Sequence, residues 1–289
     1  MRILLAGKNG QVGWELQRTL ATLGEVIALG QSEMDLANPD MIIKTLRDVK
    51  PDLIVNAAAY TAVDQAESEP DLAMAINGTA PGNIAQEAKR LGAVLIHYST
   101  DYVFDGTKNT PYTEQDLPNP INAYGRSKLA GELAIQAVDV PHLIFRTSWV
   151  YGARGKNFLL TIQRLARERP LLRVIEDQIG APTWCRLLAE ATAQVVSQGR
   201  GDVVGYIRQH SGVYHISCNG QTSWNGFASA ILCRESGATA QLQPIPSVEY
   251  PTPAVRPMYS VLNNMQLAQT FGIALPTWTD ALDLALADS

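Results

Sequence analysis

The 289-residue chain has few of the features that mark a disulfide framework or a membrane protein. Its three cysteines, Cys185, Cys218 and Cys233, are odd in number and form no Cys-x-x-Cys pair, which favours reduced thiols. No run of about 18 apolar residues occurs, which argues against a membrane span. The apolar stretch at the N-terminus is too short for a signal peptide. We therefore expect a cytoplasmic protein that has no membrane partner.

The chain also has few histidines and no large excess of positive or negative charge. A net charge of −5 argues against broad nucleic-acid binding, although it is compatible with a local basic pocket for a phosphorylated ligand. Two of the four histidines, His97 and His215, lie inside apolar runs and are interpreted as hydrogen-bonded strand residues. No zinc-type cluster occurs, and we expect no metal. The length favours two lobes.

The first apolar run predicts a strand over residues 2–6, and a glycine-rich turn follows it. Gly7, Gly10 and Gly13 come next and lead into an amphipathic helix. In that context the glycines allow a tight turn, a close approach of the backbone to a pyrophosphate and tight helix–strand packing. The helix N-terminus then offers free N–H groups to the phosphates. The pattern predicts a dinucleotide site, and a glycine turn without a ligand is the alternative.

The end of the second predicted strand, residues 25–29, should indicate which cofactor is preferred. An acid there binds the ribose 2′-hydroxyl of NAD, whereas a basic group accepts the 2′-phosphate of NADP. Residues 30–35 place neither a carboxylate nor an arginine at the strand end. We therefore expect NADPH to be preferred and NADH to be tolerated. Asp35 is interpreted as lying near the adenine or near the N-cap of the next helix.

Further strands are predicted over residues 51–56 and 92–98, with a long helix over 71–91 between them. The alternation of strands and helices predicts an α/β fold with a Rossmann-like, doubly wound parallel sheet. Ligands bind at the carboxyl ends of such strands, where the glycine turn and residues 57–59 and 99–101 all map. The three alanines at 57–59 either let a flat cofactor lie against the backbone or simply pack tightly.

Tyr124 and Lys128 are four residues apart on a helix predicted to run from 122 to about 138, so their side chains share a helix face. An ammonium beside a phenol stabilises the phenolate, and the pKa of Tyr124 should then fall from about 10 toward the working pH. A tyrosine tuned in this way can protonate an alkoxide. From the spacing alone, a solvated helix face is the commoner explanation.

Taken in order, these motifs resemble the extended short-chain dehydrogenase/reductase family. The resemblance spans the chain and rests on Gly7-x-x-Gly10-x-x-Gly13, Asn56-Ala-Ala-Ala59, Thr100 and Tyr124-x-x-x-Lys128. It implies reduction of a nucleotide-linked 4-keto-6-deoxy-hexose by hydride transfer from NADPH. Tyr124 would protonate the C4 oxygen, Lys128 would lower the tyrosine pKa and bind the nicotinamide ribose, and Thr100 would hydrogen-bond the substrate oxygen or Tyr124.

The family motifs also imply two sets of binding residues. Tyr102 stands where related dehydratases carry a glutamate, which favours ketone reduction over elimination of water. The implied cofactor-binding residues are Gly7, Gly10, Gln11, Val12, Gly13, Asp35, Leu36, Ala57, Ala58, Ala59, Tyr98, Tyr124 and Lys128. The implied substrate-binding residues are Thr100, Asp101, Tyr124, Trp149 and Arg256.

The second half is expected to supply a smaller substrate-binding lobe. We assign residues 1–146, with a returning segment near 186–218, to the NAD(P)-binding domain, and residues 147–185 and 219–289 to the lobe. The proline-rich stretch 244–257 is expected to be an ordered substrate-binding loop. Within it Arg256 either meets the diphosphate or holds the loop. Trp149 either packs on the sugar or is a buried aromatic residue between the lobes.

Some relatives dimerise through Mg²⁺. Glu15 and Glu190 match the acidic ligands of those relatives, but Ala191 stands where a further acid is expected. We therefore expect a metal-independent enzyme that is a monomer or a weak homodimer. Two alternatives to the expected reaction stay open. One is another nucleotide-sugar reductase or epimerase of the family, and the other is a non-catalytic subunit resembling the methionine adenosyltransferase beta subunit.

Overall fold

A computed structural model describes residues 1–235 and 240–287. Six of its strands form one central sheet in which every neighbouring pair is parallel. In chain order the strands are β1 (Arg2–Ala6), β2 (Glu25–Leu29), β3 (Leu53–Asn56), β4 (Val94–Thr100), β5 (His142–Thr147), β6 (Val150–Tyr151), β7 (Leu171–Ile175), β8 (Ile179–Gly180), β9 (Thr183–Trp184), β10 (Gly212–His215), β11 (Thr222–Ser223) and β12 (Gln241–Ile245).

The helices alternate with these strands, and polar side chains define several helix starts. Asn38 caps the helix Pro39–Val49 by accepting from Met41 N at 3.1 Å, and Asn122 caps the helix Ala123–Gln136 by accepting from Gly125 N at 2.8 Å. The helices are α1 (Gln11–Thr19), α2 (Pro39–Val49), α3 (Pro70–Met74), α4 (Ala80–Leu91), α5 (Ala123–Gln136), α6 (Phe158–Glu168), α7 (Cys185–Gln198), α8 (Val203–Gln209), α9 (Trp224–Leu232), α10 (Met265–Phe271) and α11 (Trp278–Ala287).

The strand order of the central sheet is β10-β5-β4-β3-β1-β2. The chain therefore winds outward in one direction from β1 and in the other from β3. Ligands of open α/β sheets bind at such a switch point, outside the carboxyl ends of the strands. The turns after β1 and β3, which carry Gly7 and Ala57, lie at that point.

Alternate residues of β1 supply two cores, one on each face of the sheet. Ile3 and Leu5 belong to the cluster that contains residues of α1 and α7, whereas Leu4 belongs to the cluster that contains residues of α2 and α4. All three side chains are fully buried. Strands buried on both faces read as continuous apolar runs, which is why the sequence revealed them so clearly. The doubly wound fold predicted from the sequence is confirmed.

Two predictions about local structure need correction. The helix expected over residues 71–91 is interrupted by a π-helical turn, Ala75–Thr79, between α3 and α4. The proline-rich stretch 244–257 is not entirely a loop, because Pro244 and Ile245 end β12, which pairs in parallel with β7. Proline is tolerated there because β12 pairs with one strand only and is an edge strand.

Several short elements lie outside the central sheet. The pairs β7–β12, β8–β11 and β6–β9 each form a two-stranded sheet in the second half of the chain. β10, which lies in the returning segment predicted near 186–218, pairs with β5 in the central sheet. The exact division of the chain into two domains stays a prediction. Within the described residues, no helix is long and apolar enough to cross a membrane.

Candidate active site

A cavity of about 960 Å³ opens at the switch point of the sheet. It is bounded by the turns after β1, β2 and β3, by the end of β4 and by the start of α5. All but one of the predicted cofactor-binding residues line it, namely Gly7, Gly10, Gln11, Val12, Asp35, Leu36, Ala57, Ala58, Ala59, Tyr98, Tyr124 and Lys128. The exception is Gly13, which is buried against the Gly7 backbone.

The glycine turn is closely packed. Gly7 has a φ of +91°, and a Cβ on it would lie 2.7 Å from the Ala58 nitrogen. A Cβ on Gly13 would lie 2.0 Å from the Gly7 carbonyl oxygen. Both positions therefore require glycine, and the backbone is left bare where a pyrophosphate would approach the start of α1. These features fit a bound dinucleotide.

The end of β2 differs from the prediction that no carboxylate would lie there. The chain turns back after Gly30, and Glu33 returns to the strand end, where its Oε2 accepts from Gly30 N at 2.8 Å. The same oxygen lies 2.5 Å from the Lys8 ammonium. Its hydrogen bond with Lys8 lowers the pKa of Glu33 from its ordinary value. Asp35 lines the cavity, whereas the cap of α2 is Asn38.

Tyr124 and Lys128 both line the cavity from the first turns of α5. Lys128 is 1% exposed; its Nζ donates to the Tyr98 carbonyl at 2.6 Å and lies 3.3 Å from His97 Nε2. Burial lowers the pKa of Lys128 to about 8. Burial raises the pKa of Tyr124 to about 12, although a hydrogen bond with Thr100 opposes the rise. The predicted fall of the tyrosine pKa is therefore wrong for this structure, because desolvation of the phenolate dominates.

Thr100 links the phenol of Tyr124 to a buried carboxyl group. Its hydroxyl donates to Asp101 Oδ1 at 3.0 Å. Asp101 is 2% exposed, and burial raises its pKa to about 7. The Tyr102 ring meets the Tyr124 ring edge-on, with centroids 5.9 Å apart. Thr100 and Asp101 thus lie behind Tyr124 and do not line the cavity themselves.

Asn77 in the π-helical turn ties the cavity wall together. Its side chain bonds both backbone groups of Tyr60, accepting from the nitrogen and donating to the carbonyl, each at 2.9 Å. The amide also donates to the Ser127 hydroxyl at 3.1 Å, and that hydroxyl donates to the Tyr124 carbonyl at 2.8 Å. These bonds fix the turn after β3 to α5.

A buried ion pair that the sequence analysis missed holds α5 against the sheet. Arg146, on β5, donates from Nη2 to Glu132 Oε2 at 2.6 Å and from Nε to both carboxylate oxygens at 3.0 and 3.2 Å. Both residues are at most 4% exposed. Ser99, on β4, also donates to Glu132. A glutamate eight residues after Tyr124, inside the same predicted helix, was the signal in the sequence.

Trp149 and Arg256 do not line the cavity. Trp149 has a φ of +44° and stacks on Trp224, with ring centroids 3.5 Å apart and planes 6° apart. Arg256 donates to both oxygens of Asp64, at 2.9 and 2.8 Å, and to Thr252 at 2.6 Å. Arg256 thus holds the loop through Asp64 and Thr252, and its contact with the diphosphate stays a prediction. Sugar contact by Trp149 stays a prediction.

Glu15 and Glu190, the residues expected to match acidic ligands of relatives, lie on α1 and α7. Glu190 pairs with Arg186 along α7, with an Oε1–Nε distance of 3.1 Å. In the described part of the chain, no three histidine, cysteine, aspartate or glutamate side chains are placed to hold a metal ion together. Metal independence stays a prediction.

The glycine cradle, the switch-point cavity and the paired Tyr124 and Lys128 define a short-chain dehydrogenase/reductase of the extended type. More closely, the chain belongs to the family described as "RmlD substrate binding domain", whose model matches residues 1–289. It is 50% identical over 296 aligned positions to a dTDP-4-dehydrorhamnose reductase of Burkholderia thailandensis, covering 100% of this chain and 99% of that relative.

Solved structures agree with this membership. A dTDP-4-dehydrorhamnose reductase of Bacillus anthracis, crystallised in complex with NADP, is 34% identical and superposes with a TM-score of 0.92 over 100% of this chain and 99% of its own. A UDP-glucose 4-epimerase of Thermus thermophilus in complex with NAD is 18% identical with a TM-score of 0.82, over 99% of this chain and 98% of its own. The second likeness shows the fold alone.

Proposed function

We propose that this protein reduces the C4 keto group of dTDP-4-dehydro-L-rhamnose to give dTDP-L-rhamnose, using NADPH. The observation that carries the proposal is the placement of Tyr124 and Lys128 on the wall of a cavity whose other wall is the glycine turn. A proton donor and a dinucleotide cradle then share one cavity in a chain whose relatives are named for this reaction.

The residues of the glycine turn and of the turn after β3 would hold the cofactor. The bare backbone at Gly7 and Gly10 would receive the pyrophosphate at the N-terminus of α1, and Ala57 to Ala59 would lie along its length. Lys128 would face the nicotinamide ribose, since its ammonium is held at the end of β4 by the Tyr98 carbonyl. When bound, the nicotinamide supplies the hydride, and the protein supplies position and electrostatics.

Tyr124 would supply the proton. A pKa near 12 keeps its phenol protonated over the working range, which is the state that a general acid needs before it donates. An alkoxide forming at C4 is a stronger base than a phenolate, so the transfer runs downhill. Thr100 would then stabilise the phenolate by turning its hydroxyl proton from Asp101 Oδ1 to the phenolate oxygen. The sequence-based role for Tyr124 therefore does not depend on a lowered pKa.

The remaining substrate contacts are proposed from the family resemblance and the fold. Asp101 would act on the sugar or through Thr100, Trp149 would contact the sugar ring, and Arg256 would act by fixing the loop beside α5. Asn122, the cap of α5, donates to the Val255 carbonyl at 2.8 Å, so this loop is attached directly to the catalytic helix.

The test is NADPH oxidation with enzymatically prepared dTDP-4-dehydro-L-rhamnose, followed by identification of the sugar product. We expect turnover to dTDP-L-rhamnose. Tyr124→Phe should bind NADPH normally and lose about 10²–10⁴-fold in turnover, the usual worth of general acid catalysis. Tyr206→Phe, on α8, is the matched control and should keep wild-type activity. An unchanged rate in Tyr124→Phe would show that the proton comes from elsewhere.

The same assay distinguishes the alternatives. Turnover of other keto sugars in preference to this one would indicate a different nucleotide-sugar reductase or epimerase. Tight NADPH binding with no turnover of any keto sugar would favour a non-catalytic subunit. We also propose a monomer or weak homodimer that needs no metal; loss of activity with a chelator, restored by Mg²⁺, would overturn the second point.

A further inference from the structure

The exposed turn 153–156, which follows β6, contacts the first residue of α1. A Cβ on Gly155 would lie 3.5 Å from Gln11 Cγ. Asn157, at the end of the turn, donates from Nδ2 to Gln11 Oε1 at 2.9 Å. Gln11 begins α1 and lines the cofactor cavity. The turn is therefore attached beside the helix N-terminus that is expected to receive the pyrophosphate.

The two basic residues of this turn have different surroundings. The Arg154 guanidinium lies 3.8 Å from the centre of the Trp14 ring, where it makes a cation–π contact. Lys156 instead lines the cavity. The Asn157 amide holds the turn in this shape by donating to the carbonyls of Gly152 and Arg154, at 2.8 and 3.0 Å. The turn thus presents one lysine to the space that a dinucleotide would occupy.

The charges around the cavity make Lys156 the cation best suited to a phosphate. Within the described ranges, the charged residues that line the cavity are Asp35, Glu69, Lys128 and Lys156. Lys128 is 1% exposed, and its ammonium donates to the Tyr98 carbonyl at the end of β4. Lys156 lies beside the start of α1, where the helix N–H groups supply only partial positive charge.

We propose that Lys156 binds the pyrophosphate of the bound dinucleotide beside the glycine turn. Its ammonium adds a full charge to the backbone N–H groups at the start of α1. Because Lys156 directly precedes Asn157, whose side chain caps α6, the bound cofactor also ties the second half of the chain to the glycine turn. The inference rests on the cofactor part of the proposed function and is independent of the sugar.

Electrostatics predicts the size of the effect and its dependence on salt. Each phosphate of the pyrophosphate carries a negative charge, so Lys156 makes a charge-assisted hydrogen bond with it. Salt screens this attraction because the lysine is exposed, and the Debye length falls from about 30 Å at 0.01 M to about 3 Å at 1 M. Loss of the lysine should therefore weaken binding about tenfold at low salt and much less at high salt. NADPH and NADH share the pyrophosphate, so both should be affected equally.

Three variants separate the charge of Lys156 from the shape of the turn. Lys156→Met removes the ammonium and keeps an unbranched side chain. Lys156→Arg keeps the charge and should bind both cofactors nearly as tightly as the wild type. Lys44→Met removes an exposed lysine of α2 that does not line the cavity. It is the control for net charge and should leave both affinities unchanged.

The measurement is the dissociation constant of NADPH, of NADH and of dTDP for the full-length protein. Isothermal titration calorimetry at low and high salt, without any keto sugar, gives these constants, and thermal melts verify folding. Three results together would support the inference: Lys156→Met weakens NADPH and NADH equally and most at low salt, Lys156→Arg restores both affinities, and dTDP binding is unchanged.

Unchanged cofactor affinities in Lys156→Met would overturn the inference. Weaker binding of NADPH alone would also overturn it, because the lysine would then contact the 2′-phosphate. Weaker binding of dTDP with unchanged cofactor binding would do the same, because the lysine would then contact the nucleotide sugar. Since no keto sugar is present, failure of the proposed reductase activity leaves this test intact, and failure of this test leaves sugar turnover intact.

Discussion

The buried ammonium of Lys128 should lower the stability of the protein at neutral pH. Its pKa falls from 10.5 to about 8 because the charged group is removed from water, which corresponds to about 3 kcal/mol. Lys128→Met keeps most of the side-chain volume and removes the charge. The variant also loses the hydrogen bond to the Tyr98 carbonyl, which costs about 1 kcal/mol. We therefore expect Lys128→Met to be about 2 kcal/mol more stable than wild type at pH 7.

The stability difference between Lys128→Met and wild type should depend on pH, which distinguishes the cost of a buried charge from a change in packing. Below pH 8 the lysine is charged in both the folded and the unfolded protein, and the full cost of burial is present. Between pH 8 and 10.5 the unfolded chain binds more protons than the folded one, so the stability of the wild type rises with pH. The advantage of Lys128→Met should therefore disappear by about pH 10.

Urea unfolding at pH 7 and pH 10 measures both effects, with Lys89→Met, an exposed lysine on α4, as the control. The control should show no pH-dependent difference from wild type. A wild type as stable as Lys128→Met at pH 7, or a gap that stays constant with pH, would refute the assigned cost. Lys128→Met should also lose turnover, which would show that the ammonium is retained for function at the expense of stability.

Three further outcomes follow from the polar contacts around the cavity. Asn77→Ala should lose about 1–3 kcal/mol of unfolding free energy, because both backbone groups of Tyr60 lose their partner, and it should weaken NADPH binding; an unchanged urea midpoint would contradict this. Arg146→Met should lose about 3–5 kcal/mol, because it leaves a buried carboxylate unpaired, whereas Arg164→Met in an exposed pair should lose less than about 1 kcal/mol; equal losses in urea unfolding would argue against the distinction. Asp101→Asn should be more stable than wild type at pH 8, where the wild-type carboxyl is charged and buried. The difference in stability between the two proteins should shrink toward pH 5, as the wild-type carboxyl takes up its proton near pH 7. A difference that does not change with pH in thermal melts would exclude a buried charge.

The strands and the main site could be predicted because their signals are local. Apolar runs bounded by glycine, proline and aspartate placed β1 and β2 at their observed bounds, and β3 and β4 within about two residues. The glycine spacing and the four-residue interval between Tyr124 and Lys128 needed no knowledge of distant contacts. The parallel order then brought these motifs to one edge of the sheet.

The features that were missed depend on contacts between distant segments. The π-helical turn at Ala75–Thr79 carries no composition signal, and its Asn77 is bonded to a loop that precedes it by 17 residues. Glu33 returns to the end of β2 beside a lysine from the glycine turn, 25 residues earlier. The pKa of Tyr124 is raised because several elements bury the phenol. The spacing of Tyr124 and Lys128 in the sequence carries no information about that burial.

The late position of β10 has a consequence for the order in which the protein folds. β5 ends at Thr147, but its outer neighbour begins at Gly212, so the ribosome releases about 65 residues before the sheet can be completed. During that interval β5 is an edge strand, although Leu143, Ile144 and Phe145 are fully buried in the finished fold. An unpaired apolar edge is a template for pairing with other chains. The nascent protein is therefore most exposed to aggregation while the second half is being synthesised, and β10 ends that exposure.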